Sequence, residues 1–86
     1  MRLDKYLKAS RLIKRRTLAK SACDSGRVLI GGRAAKAGAD VKEGDEITVL
    51  FGNGELVAKV LSLRESVRKE DAALMYEIIS GRRNSN

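Results

Sequence analysis

The sequence predicts an α+β fold: a pair of short helices first, then a small twisted sheet of four or five strands, then a closing helix. Three observations carry this expectation. Apolar residues recur at helical spacing at both ends of the chain, the middle alternates apolar and polar residues between glycine-rich turns, and 86 residues leave room for one modest core. A hydrophobic share of 43% beside 34% charged residues argues for a folded chain rather than a disordered one. Residues 1–81 are read as a single domain and 82–86 as a short polar tail.

Leu3, Tyr6 and Leu7 stand at i, i+3, i+4 and define one side of a first helix, with Arg2, Lys5 and Lys8 around the other. Ser10 to Ile13 reads as a break whose Leu12 and Ile13 plug the core. A second helix, roughly Arg15 to Ser25, turns Leu18, Ala19, Ala22 and Cys23 inward, sets Arg16 and Lys20 on an outer face, and stops at Gly26. Val28 to Ile30 then meets the turn signal Gly31-Gly32, and Arg33 to Lys36 returns as a second short strand. After a turn at Lys42 to Asp45, Ile47, Val49 and Phe51 alternate along a strand. Asn53-Gly54 predicts a type I′ hairpin that brings Glu55 to Leu63 back against it. The last helix, about Lys69 to Ser80, has Ala72, Tyr76 and Ile79 at helical spacing, acids at its start and Gly81 as its stop.

The charge is segregated. Residues 1–36 hold 11 Lys and Arg against only Asp4 and Asp24, whereas residues 37–81 hold 5 against 9 acids; the whole chain carries +7. Such a division makes a basic face, whose natural partner is a polyanion. Nucleic acid comes before a membrane, because no helix leaves a wide apolar face for lipid. The start of the second helix is the informative anomaly. Lys14, Arg15 and Arg16 gather there, although the helix dipole favours acids at that end by roughly 0.3–1 kcal/mol per site. A phosphate at that position would meet free backbone N–H groups and the cations together.

Folded RNA is the partner that these residues fit. A DNA-reading helix needs side chains that reach base edges, and the second helix offers mainly Arg16, Lys20 and Asp24. Single-strand readers display aromatic platforms, whereas Tyr6, Phe51 and Tyr76 all sit at positions that look core-facing. A sequence-specific DNA-binding module is the alternative from another class. Catalysis has no support: histidine is absent, Cys23 has no candidate base, and no carboxylate pair stands near the basic stretch, so no cofactor or metal is expected. Cys23 is read as a small core residue; exposed, it would have its pKa lowered by the surrounding cations. A lone cysteine, no cleavable signal sequence and no apolar run of spanning length place the chain in the cytoplasm.

Several segments together resemble the S-four RNA-binding domain: Arg2-Leu3-Asp4-Lys5-Tyr6-Leu7, then Ser10-Arg11, Lys14, Arg16 and Ala19, then Gly26-Arg27-Val28-Leu29-Ile30 with Gly32, and finally Gly44-Asp45-Glu46-Ile47. Gly31 stands where Asn is common in that domain, and Ala37 where Pro is usual. The stretch Glu70 to Glu77 is similar to the segment after the domain in the fifteen-kilodalton ribosome-associated heat-shock family. In length, and in the run from Arg11 to Lys20, the chain is most similar to the short RqcP family; the heat-shock proteins usually carry a long basic C-terminal extension, and this chain stops at Asn86. The resemblance implies a non-enzymatic factor that binds large-subunit rRNA and peptidyl-tRNA on obstructed large ribosomal subunits. It implies RqcH as partner, C-terminal alanine tailing as the process, and a monomer off the ribosome; a heat-shock-type factor recycling stalled subunits is the neighbouring reading. Arg2, Lys5, Arg11, Lys14, Arg16 and Lys20 are then the RNA-facing residues, joined by Arg15 and Arg27 from the same basic stretch, with Asp4 orienting a neighbouring arginine.

Overall fold

In the computed structural model, which describes residues 1–64 and 67–83, two helices open the chain: α1 (Leu3–Ala9) and α2 (Arg16–Asp24). Leu3, Tyr6 and Leu7 are at most 1% exposed, each burial being worth roughly 1.5–3 kcal/mol. The unpaired N–H groups at the start of α1 find carbonyls in the loop that follows the first hairpin: Leu3 N donates to Ala39 O at 2.8 Å and Asp4 N to Ala37 O at 3.1 Å. Ala37, the residue that replaces the expected proline, thus caps α1 with its backbone. At the end of α2, Gly26 takes φ +79°, its N–H donates to Cys23 O, and Arg27 N donates to Ala22 O. That pair of bonds is a Schellman stop.

The sheet is wholly antiparallel, in the order β2-β1-β3-β4-β5, with β1 at Val28–Ile30, β2 at Arg33–Ala34, β3 at Glu46–Phe51, β4 at Gly54–Val60 and β5 at Tyr76–Arg83. Gly31 (φ +58°) and Gly32 (φ +84°) form the two-residue turn of the first hairpin, both in the left-handed region that a type I′ turn demands. One core joins the layers: Leu3, Tyr6, Leu7, Ala19 and Cys23 from the helices meet Val28, Ile47, Val49, Val60 and Met75.

Four expectations are corrected. The closing helix is a 3₁₀ helix over Lys69–Met75 only, and the chain continues as β5. The spacing of Ala72, Tyr76 and Ile79 fitted a helix, but the β-branched pair Ile78-Ile79 and the open edge of β4 favour an extended chain. Gly81 is therefore no helix stop; it lies in β5 opposite Leu56, and a Cβ there would stand 3.4 Å from the leucine Cδ1. Strand β5 also runs through Arg83, into the segment expected as tail, while Asn84-Ser85-Asn86 lies outside the described residues. In the β3–β4 hairpin Phe51 pairs with Gly54, so the loop residues are Gly52 and Asn53 rather than Asn53 and Gly54. Leu18 is 54% exposed and Phe51 38% exposed, where both were expected inside. The alternation of β3 does aim Phe51 to the same side as buried Ile47 and Val49, but the helix layer does not cover the strand that far.

Candidate nucleic-acid interface

The basic face is built around one buried carboxylate. Asp4, in the first turn of α1, is 3% exposed. Its Oδ1 accepts the Arg2 Nε–H at 3.1 Å and the Lys5 backbone N–H at 2.9 Å, and its Oδ2 accepts the Arg16 Nε–H at 3.4 Å. Burial alone would raise the carboxyl's pKa, but the hydrogen bonds and positive charges of Arg2 and Arg16 outweigh it and hold the group below the usual carboxylate range. The Arg2 and Arg16 side chains as a whole are 54% and 50% exposed. Asp4 thus grips each by the Nε edge and leaves much of each fork available for an outside anion.

Met1, Arg2, Lys5, Arg16 and Leu63 line a cleft of about 530 Å³ at this point. Its wall is fixed by the backbone: Val41 N donates to Met1 O, and the α-ammonium of Met1 donates to Asp40 Oδ1 at 3.0 Å, holding the Asp40 carboxyl below its ordinary pKa. The Arg2 guanidinium also lies over Gly38, 3.8 Å from where a Cβ would stand.

The eight residues picked out from the sequence do not form one cluster. Arg2, Lys5 and Arg16 share the cleft. Arg11, Lys14 and Arg15 are exposed along the connection that leads into α2, with Arg15 as its N-cap and Arg16 as its first helical residue. No side chain caps α2 and no acid occupies its first turn, so neither a capping oxygen nor a carboxylate offsets the positive end of the helix there. Lys20 lies one turn further on, in a shallow depression with Thr17, Ser21, Asp24 and Ser25. Arg27 belongs to a different groove, with Leu18 and Phe51.

Arg11 adopts φ +62°, the only non-glycine residue with positive φ among the described residues. It occupies the left-handed position just after α1, with its N–H on Lys8 O at 3.0 Å. A side chain there costs roughly 1–2 kcal/mol, a clue absent from any local pattern. Cys23 is buried, and its thiol is pushed up to about 11, first by burial and then by Asp4 and Asp24. Burial and then these acids, not the surrounding cations, set its titration. Among the described residues every buried side-chain nitrogen and oxygen has a hydrogen-bond partner, no group of three or more His, Cys, Asp or Glu could hold a metal ion, and no helix is long and apolar enough to cross a membrane.

A helix pair feeding a short hairpin, with cations on the helices and on the connection between them, is the arrangement of an S4-domain protein, and residues 1–47 match the S4 domain. The chain is 57% identical over 79 residues to the RQC P-site tRNA stabilizing factor of Bacillus subtilis (strain 168), covering 92% of each chain. It is 56% identical over 80 residues to the factor of the same name from Streptococcus pneumoniae (strain ATCC BAA-255 / R6), covering 93% of this chain and 91% of that one. The protein belongs to the family of RQC P-site tRNA stabilizing factors. In fold it is similar to the trimeric structure of Vibrio cholerae Heat Shock Protein 15, with a TM-score of 0.86, 31% sequence identity, and coverage of 93% of this chain and 82% of that chain.

Proposed function

We propose that this protein is a non-enzymatic RNA-binding factor that holds large-subunit rRNA and peptidyl-tRNA on obstructed large ribosomal subunits. It acts in the cytoplasm, in ribosome-associated quality control, beside RqcH while the stalled chain receives its alanine tail; off the ribosome it is a monomer. The observation that carries this reading is the Asp4 clamp, which orients the guanidiniums of the half-exposed Arg2 and Arg16 side chains side by side. Two such groups beside an uncapped helix start suit the phosphates of a folded RNA, which are recognised through shape and backbone. The family name adds the tRNA and the process. Against a DNA-reading module stands the outward row of α2, where Asp24 joins Lys20 and few groups can read base edges.

The test is sedimentation of ribosomal subunits with an Arg2→Ala, Arg16→Ala double variant, beside an Arg2→Lys, Arg16→Lys variant that keeps both charges. The alanine variant is expected to leave the large-subunit fraction while its thermal melt stays cooperative. Unchanged co-migration refutes the site, and tighter binding of one duplex DNA sequence than of folded RNA in a competition titration refutes the function.

A further inference from the structure

The second groove has a chemistry that the basic cleft lacks. It measures about 420 Å³ and is lined by Ile13, Leu18, Ala22, Val49 and Phe51, with Arg27 among its walls. Leu18, Ser21 and Ala22 of α2 and its C-cap Ser25 follow the i, i+3, i+4, i+7 stripe, centred roughly half a turn from Arg16 and Lys20, with Ser21 and Ser25 also bordering the Lys20 depression. The helix therefore serves two flanks, one cationic and one largely apolar. On the sheet side, Arg27 adjoins the end of β3, where Leu50 N donates to Arg27 O at 2.8 Å. Arg27, just before β1, and Phe51, the last residue of β3, both line the groove.

The occupant is constrained by what lines the groove. Leu18 and Phe51, 54% and 38% exposed, offer apolar surface; Ser21 and Ser25 offer hydroxyls; among the described residues of the lining Arg27 is the one charged side chain and none is a carboxylate. Apolar surface with an aromatic face and a cation, set in the strongly basic half of the chain, complements a planar base attached to a phosphate. We infer that this groove seats an unpaired RNA nucleotide, its base on Phe51 and its phosphate at Arg27. This rests on the RNA-binding reading above and adds to it a preference for RNA with an extruded or looped-out base, which the cleft alone has no means to express.

The experiment uses the full chain and two RNAs of equal length, one fully paired and one with a single bulged 5-iodouridine, in an equilibrium binding titration followed by photocrosslinking. The unaltered protein is expected to bind the bulged RNA about tenfold more tightly, the lower part of the range for stacking one base on an aromatic ring, and to crosslink at Phe51. Phe51→Leu keeps the apolar bulk at an exposed position, so it is expected to fold, to bind paired RNA unchanged and to lose the preference; Phe51→Trp is expected to keep it. A preference that survives in Phe51→Leu, or crosslinks confined to the α1 cleft, overturns the inference while leaving RNA binding intact. Failure of the unaltered protein to bind either RNA strikes the underlying function instead. Self-association in sedimentation, or binding of an apolar peptide, that Phe51→Leu abolishes would assign the groove to a protein and also overturn it.

Discussion

Replacing Asp4 by Asn removes the charge that organises the cleft and keeps the side chain's shape. Hydrogen bonds from charged donors contribute about 1.5–3 kcal/mol each, but both arginine side chains are half-exposed and the Arg16 contact is long at 3.4 Å. After that discount, the expected loss of stability is about 1–2 kcal/mol. The larger consequence is for binding. Two released arginines have to be ordered by the RNA, at about 0.5–1.5 kcal/mol apiece. Loss of a carboxylate near the phosphates returns about 0.5–1 kcal/mol across roughly 8 Å in water-like surroundings. The net is a weakening of about 2- to 30-fold, measured by fluorescence anisotropy with a folded RNA. Because the number of neutralised phosphates does not change, the log–log salt slope should stay as in the unaltered protein, whereas Arg16→Ala should flatten it by about 0.7–0.9. Affinity equal to or above that of the unaltered protein refutes the clamp, since Asp4 would then only repel the ligand. The stability gap also has a sign in pH. The folded carboxyl titrates below its ordinary 3.8, so the contribution is whole above that value and disappears as pH falls through the lower folded pKa, where the two proteins should melt alike.

Arg11→Gly should raise stability by about 0.5–1 kcal/mol, because glycine adopts the left-handed position after α1 freely, while lowering RNA affinity; a melt that falls instead would show that the arginine side chain holds the fold. Tyr6→Phe removes a buried hydrogen bond of 2.8 Å to Met75 O. That carbonyl also accepts from Leu61 N and Ser62 N, so the cost in urea unfolding should be near 1 kcal/mol rather than the full penalty of an orphaned acceptor. Cys23 should resist thiol reagents at pH 8 in the folded protein and react at once in denaturant, and fast labelling of the native chain would contradict its burial.

The helix pair, its glycine stop and the Gly31-Gly32 turn were legible because each rests on local chemistry: apolar spacing, a left-handed terminus, two adjacent residues free of Cβ. The cations were legible for a similar reason, since long charged side chains keep to the surface. What escaped depends on distant parts of the chain. Strand β5 exists because β4 offers it an edge, and the pattern around Tyr76 could serve either state. Leu18 and Phe51 carry apolar periods whose covering layer ends before reaching them. The clamp on Arg2 and Arg16 spans two and twelve residues from Asp4; that an arginine would be oriented was foreseeable from the resemblance, but that both converge on one carboxylate emerges only from the folded corner between the helices.

The bond between the Tyr6 hydroxyl and the Met75 carbonyl links residues 69 positions apart, and α1 shares its core with Val60 and Met75. The order of synthesis gives this link a consequence. The cationic arm leaves the ribosome first, yet the surface that makes it a helix with a buried side is finished only when the last strands have followed. Its grip is assembled from the far end of the chain, so truncation after β4 should leave the charges in place and take away the shape that makes them selective.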